Sequence, residues 1–213
     1  MGSVIMHNVV SIDGFIADDN DDVGPLHEWY FSGDTPIGPI AEGGDRFDHS
    51  GVGSGFRVSR ASAEYVGPMW ESIGAIVMGR RLFDLVNGWE GQPPAGDHVV
   101  VLSDRPKPEG WHPAASYHFV AGAAAAIDKA KELAGERTIS VNAGNAGSQI
   151  LAAGLVDEVA MDVVPVVFGS GKRYFDNIKG RLMLEDPHVV IQGERVLHLR
   201  YRVRKSPVPP TIP

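Results

Sequence analysis

The chain reads as an α/β domain: a mostly parallel central sheet, helices on both faces, and an antiparallel hairpin at the C-terminal end. Three observations lead there. Apolar strand-like runs alternate with helical segments, the order that builds parallel sheets from crossover units. Two of those runs end in glycine and pass directly into a helix: Ala75-Ile76-Val77-Met78-Gly79-Arg80-Arg81, and Ile139-Ser140-Val141-Asn142-Ala143-Gly144. The last two apolar segments, 186–192 and 195–203, flank Gly193-Glu194 and pair naturally as a hairpin.

Taken in order, residues 3–12 form the first strand, stopped by the turn signal Asp13-Gly14 and continued by Phe15-Ile16-Ala17. Residues 18–57 carry Pro25, Pro36 and Pro39 and show no sustained periodicity. A loop this long is uncommon without a function, so it reads as a lid or an oligomer contact, with short helical pieces around Leu26–Phe31. Ser59 or Ser62 caps a helix running to about Ser72, and a strand follows over 75–78. His98–Leu102 is a buried strand, halted near Pro106, and Tyr117–Val120 a shorter one. An alanine-rich helix spans 123–133, with Gly135 near its C-cap. Strand 138–142, helix 146–153 and strand 159–167, interrupted by Pro165, complete the alternation. Residues 1–205 form one domain, and 206–213 a flexible, extended tail.

Composition narrows the function. The 213 residues are 43% hydrophobic, enough for one substantial core. A net charge of −8 argues against nucleic acid or an anionic membrane surface as the main partner. Arg200, Arg202 and Arg204 alternate as the solvent face of a last strand. There is no cysteine, which removes disulfides and thiolate metal sites and fits a reducing cytoplasm. No apolar stretch reaches the roughly 20 residues of a membrane span. Three apparent motifs fail. Asp18, Asn20 and Asp22 lack the turn glycine and terminal glutamate of a calcium loop. His27-Glu28 has Phe31 where a second zinc-binding histidine belongs, and Gly169-Ser170-Gly171-Lys172 lacks the rest of a P-loop.

The two glycine junctions carry the chemistry. A helix N-terminus offers free N–H groups and partial positive charge, and so favours phosphate. Two such junctions in one small domain point to a bisphosphate ligand such as a dinucleotide.

Six stretches, in order, resemble one family: Ser11–Ala17, Val77–Asp84, Val101–Ser103, Ala143–Asn145, Leu151–Glu158 and Pro165–Gly171. Together they are similar to the dihydrofolate reductase-like family, in the branch that holds the reductase domain of bacterial riboflavin-biosynthesis deaminase–reductases. The resemblance implies NADPH as cofactor. It places Met78, Gly79, Arg80 and Arg81 at the phosphates, and Leu102, Ser103 and Arg105 at the adenosine end. It places Ala143, Gly144, Asn145, Ala146 and Gly147 at the pyrophosphate near the nicotinamide. The chain departs from the family at Ala143, where a second glycine is usual, and at Asp104, whose charge repels a 2′-phosphate. NADH therefore stays open. The deaminase half, which needs cysteine zinc ligands, is absent from these residues.

Three carboxylates are candidate proton donors. Asp13 lies in the turn that the family sets at the active-site mouth. Asp162 interrupts an apolar strand, where burial would raise its pKa and suit it to acid catalysis. Glu64 lies on the helix where folate-reducing relatives keep a carboxylate. The expected activity is reduction of a C=N or C=O bond in a small heterocyclic metabolite, 5-amino-6-(5-phosphoribosylamino)uracil being the most specific version. The alternative is a dinucleotide sensor without turnover. A homodimer is expected, with Trp29, Tyr30 and Phe31 serving an interface or a substrate lid.

Overall fold

The computed structural model describes residues 2–37 and 55–204. The reading of 18–57 as an insertion lies partly, and that of the 206–213 tail wholly, outside the described residues. Among the described residues, twelve strands and four α-helices follow in chain order. They begin with β1 (Val4–Ser11), β2 (Phe15–Ala17), β3 (Thr35–Pro36), β4 (Arg57–Val58), α1 (Arg60–Glu71), β5 (Ile73–Gly79) and α2 (Arg80–Leu85). Next come β6 (His98–Leu102), β7 (Tyr117–Val120), α3 (Ala123–Ala134), β8 (Thr138–Asn142) and α4 (Asn145–Ala152). The chain ends with β9 (Glu158–Val164), β10 (Lys172–Arg173), β11 (Val189–Gln192) and β12 (Leu197–Arg202). A 3-10 helix covers Gly24–Phe31, and Asn87–Gly91 is a tight turn with positive φ at Asn87, Gly88, Trp89 and Glu90.

Eight strands form the main sheet, in the order β11-β12-β9-β1-β8-β5-β6-β7. Every pairing from β9 through β7 is parallel, while β12 runs antiparallel to both β9 and β11. This is the predicted mostly parallel sheet with a C-terminal antiparallel hairpin. Alternation divides each strand between two faces. Val4, Met6 and Val10 of β1 pack with Ile127, Ala130, Ile150 and Leu151 beneath α3 and α4. Val9 packs on the other face with Val66 and Met69 of α1 and with Leu26, Trp29 and Tyr30. Helices cover both faces, as the alternating sequence requires.

The first helix shows how local chemistry sets a boundary. Ser59 is extended, and its hydroxyl accepts from the Ser62 amide at 3.4 Å, an N-cap. The same oxygen receives the Glu194 amide at 3.3 Å, so this cap also holds the hairpin turn. Ser59→Ala is expected to cost about 0.5–2 kcal/mol, measurable by urea unfolding. Tyr174 does comparable work on the opposite face. Its hydroxyl donates toward the carbonyls of Met6 and Ala160, each at 2.8 Å, bridging β1 and β9. Its backbone binds Gly14 and Gly144, linking the first turn to the second glycine junction.

Candidate active site

A cleft of about 1210 Å³ opens along the carboxyl ends of β1, β5, β6 and β8, bordered by Ile16, Ala17, Val23, His27 and Tyr30. That is where open parallel sheets bind ligands, because helix N-termini and loops converge there.

The two glycine junctions meet in this cleft. Gly79 is the N-cap of α2 and Gly144 the N-cap of α4, and neither helix start has a side-chain cap. The opening amides of both helices are thus left to a ligand. A Cβ placed on Gly79 would lie 3.1 Å from the Ala146 Cβ, so the two starts are in contact. The sheet order β8-β5 brings the two starts side by side. Gly144 also adopts φ +84°, ψ −155°, a region that side chains avoid. Asn8 Oδ1 accepts from the Ala143 amide at 2.8 Å and fixes the loop from β1.

Asn142, at the end of β8, supplies an independent sign of a ligand. The residue lines the cleft, and its buried Oδ1 has no hydrogen-bond partner among the described residues. An orphaned acceptor costs about 1–3 kcal/mol unless a donor arrives. Converging uncapped amides and an unpaired acceptor fit a ligand with a bisphosphate and an amide or hydroxyl donor, as a nicotinamide dinucleotide has.

Beside α2 a smaller hollow of about 430 Å³ is bounded by Asp21, Arg81, Asp84, Leu85 and Arg105. Arg81 grips both carboxylate oxygens of Asp21. Asp84 takes Arg80 at 2.7 Å and Arg105 at 3.0 Å. The hydrogen bond from Arg81 holds the Asp21 carboxyl below its ordinary value. Burial tends to raise Asp84, but Arg80 and Arg105 outweigh it and lower it. Each arginine that the sequence offers to a phosphate is therefore already paired with a carboxylate of the chain.

Of the predicted cofactor residues, Gly79, Arg80, Arg81, Leu102, Ser103, Arg105, Ala143, Gly144, Asn145 and Ala146 line the cleft. Met78 and Gly147 do not. Met78 is fully buried, clustered with Phe83 and Val101. Gly147 serves packing: a Cβ there would stand 2.4 Å from the Asn142 carbonyl oxygen.

All three predicted acids need correction, for none lines the cleft. Asp13 clamps its own turn. It receives the Ser11 hydroxyl at 2.6 Å and the Gly169 amide at 2.7 Å, and these bonds hold its carboxyl below the ordinary value. Glu64 lies on the exposed face of α1, paired with Arg60 at 2.7 Å. Glu64→Gln is expected to change stability by no more than about 0.5 kcal/mol and leave cofactor binding unchanged, checked by melting and titration. Asp162 is only 1% exposed and faces α1. Burial alone would raise its carboxyl, but the charge of His7 and hydrogen bonds from His198 and His7 pull it well below the usual range. It is the opposite of the raised pKa expected of it.

The cleft contains groups that the sequence reading did not single out, His7, Asn8, Trp70 and Asn142, together with His27 and Tyr30. A visible signal existed for one pair, since His7-Asn8 is a polar break in an apolar strand. Burial lowers His27 and raises Tyr30, with the Asp162 charge adding to the latter. Of the aromatic cluster, Trp29 is a core plug, Tyr30 lines the cleft, and Phe31 is half exposed. Among the described residues no His, Cys, Asp and Glu cluster is arranged to hold a metal ion, and no helix is long and apolar enough to cross a membrane.

Solved structures share this fold at low identity. A Shewanella sp. PV-4 protein assigned to riboflavin biosynthesis matches with a TM-score of 0.66 and 19% identity, over 95% of this chain and 99% of that one. A Thermotoga maritima diaminohydroxyphosphoribosylaminopyrimidine deaminase/5-amino-6-(5-phosphoribosylamino)uracil reductase gives 0.55 and 12%, over 95% of this chain. This chain spans 57% of that two-activity protein. Dihydrofolate reductase from Enterococcus faecalis, solved with NADP(H), gives 0.56 and 13%, over 96% of this chain and 98% of that one. No curated protein sequence is similar enough to count as a relative. The family model of the RibD C-terminal domain matches residues 2–197, and the chain belongs to that family.

Proposed function

We propose that the protein is an NAD(P)H-dependent reductase of a small heterocyclic compound bearing a C=N or C=O bond. The most specific substrate is 5-amino-6-(5-phosphoribosylamino)uracil, in riboflavin biosynthesis. The observation that carries this reading is the contact between two uncapped helix starts beside the orphaned Asn142 acceptor. Membership of the RibD C-terminal domain family supports reductase chemistry. When bound, the dinucleotide supplies the hydride. The amides opening α2 and α4 would hold its phosphates, and Asn142 Oδ1 would accept from its amide or ribose. Tyr30, Trp70 and Phe56 line the cleft and would give the reacting end an apolar wall against water.

The adenosine end carries Arg80, Arg81 and Arg105 against Asp21, Asp84 and Asp104, three charges of each sign. That balance gives little electrostatic preference for a 2′-phosphate, so NADH is a competent alternative to NADPH. Fluorescence titration with each cofactor tests the reading, with saturable binding expected below about millimolar concentration. No saturation by either sinks it. Binding without oxidation by any candidate metabolite favours the sensor reading instead. We also place the protein in the cytoplasm, on its lack of cysteine, and as a homodimer. Light scattering at the 22.8 kDa monomer mass would dispose of the dimer.

A further inference from the structure

A line of buried polar groups crosses the far face of the sheet and ends in the cleft. Ser59 Oγ donates to Ser62 Oγ at 3.1 Å, and Ser62 Oγ meets His198 Nε2 at 2.9 Å. His198 Nδ1 meets Asp162 Oδ1 at 2.6 Å, and Asp162 Oδ2 meets His7 Nε2 at 2.8 Å. Ser62 and His198 are fully buried and Asp162 nearly so, whereas the His7 side chain is 14% exposed and lines the cleft.

The order of donors decides the charges. An ionised Asp162 only accepts, so both imidazoles donate to it. His198 therefore carries its proton on Nδ1. Ser62, whose oxygen already accepts from Ser59, directs its own hydrogen at His198 Nε2. Both nitrogens of His198 are then satisfied in the neutral form. The single negative charge of Asp162 is left to His7. Its Nε2 is committed to the carboxylate, and its Nδ1 has no hydrogen-bond partner among the described residues.

We propose that His7 is the proton donor of the cleft, acting from Nδ1, and that Asp162, His198 and Ser62 are positioning residues behind it. This rests on the reductase reading above. His7 lies in β1 directly across from Asn142, the residue before the second glycine junction. A reduced dinucleotide held in the cleft would supply a hydride for the new C–H bond at the substrate carbon. The π pair of the C=N or C=O bond moves to the heteroatom, which takes the proton from His7 Nδ1. His7 is left neutral and regains a proton from solvent. Asp162 steadies the imidazolium before transfer, as a buried carboxylate behind a histidine does in other acid–base pairs.

Other titratable groups surround this pair. Tyr65 of α1, pushed up to about 12 by burial and then by the Asp162 charge, packs against His198 at 5.1 Å between ring centres. Tyr30 and His27 of the 3-10 helix line the same cleft, and Tyr174 also feels the Asp162 charge from β9's other side. Burial lowers His27 and raises Tyr30 and Tyr65, which disfavours each as a proton donor, and among the described residues none of the three hydrogen-bonds a carboxylate as His7 does Asp162.

The test has two arms. In the first, ring-nitrogen NMR of the histidine-labelled, cofactor-free protein reads the protons directly. His198 is expected as the Nδ1–H form and His7 with a proton on Nε2. An Nδ1–H, Nε2-bare His7 overturns the proposal whatever the enzyme does. In the second, wild type, His7→Gln and Ser62→Ala are compared in NADPH binding and in single-turnover reduction of 5-amino-6-(5-phosphoribosylamino)uracil between about pH 5 and 8. His7→Gln is expected to bind NADPH within about twofold of wild type but to reduce substrate roughly 10²–10⁴-fold more slowly. Its rate should also lose the pH dependence of the wild type, which Ser62→Ala should shift rather than abolish. A His7→Gln rate within about threefold of wild type, with the pH profile intact, overturns the role. Failure of wild type itself to bind either cofactor instead removes the reductase reading, and is recognised by the binding arm alone.

Discussion

Asp162→Ala is expected to destabilise the protein by about 3–5 kcal/mol, the cost of stripping one partner from a buried ionic network. His7 and His198 would lose their shared acceptor, and His198, fully buried, has no access to water in its place. For a chain of this length the loss corresponds to a fall in Tm of about 6–20 °C. The pH dependence has a definite sign. The folded-state carboxyl is held below its ordinary value, so its stabilisation is fully present above the unfolded pKa of about 3.9. That contribution disappears as pH falls through the lower, folded-state value. Wild type and variant should differ by a constant amount near neutral pH and converge in acid. Thermal melts at both pH extremes check this, and a neutral-pH difference below about 1 kcal/mol would mean the network contributes little.

Gly144→Ala is expected to strike the site harder than the fold. The position has φ +84° with ψ −155°, which an alanine adopts at a cost of about 1–3 kcal/mol. Its new Cβ would also come within 3.2 Å of the Ile16 Cδ1, a flexible side-chain end that can move aside. The loop is pinned on both sides, by Asn8 to the Ala143 amide and by the Tyr174 carbonyl to the Gly144 amide. Relaxation would therefore turn the opening amides of α4 away from the cleft. A drop of about tenfold or more in dinucleotide affinity is expected, since tenfold is only 1.4 kcal/mol. Gly180→Ala is the control: it has φ +86° and open space around it, and lies off the cleft. Calorimetric titration of both variants separates the cases, and equal affinity in the two would remove Gly144 from the site.

Much of the fold was legible because its signals are local. The Asp13-Gly14 turn, the Ser59 cap, Gly135 after α3 and Pro165 after β9 each act within a few residues. The hairpin about Gly193-Glu194 follows from alternation. The pieces that escaped were the two-residue strands β3, β4 and β10, and the turn at Asn87–Gly91. Their ladders are too short to leave a periodicity. β10 pairs with β2 across more than 150 residues of chain, a contact that neither segment announces alone.

The site divides along the same line. Glycine at a strand-to-helix junction is a backbone requirement written in the residue itself, so Gly79 and Gly144 could be singled out from the sequence. Their contact depended on β8 entering the sheet beside β5, which no local pattern states. The acids went astray for a related reason. Asp162 is visibly odd in an apolar strand, but its chemistry is set by its partners. His7 is 155 positions and His198 36 positions away, and they turn an expected raised pKa into a lowered one. By itself the sequence determined the order of elements, the parallel sheet with its antiparallel end, and the backbone places where phosphate fits, because helix caps, turns and alternation act over a few residues. Only the tertiary structure decided which side chains meet, and with them the charge states of Asp162 and the arginines. Electrostatic energy and burial depend on distance in space, and the chain alone does not disclose that distance.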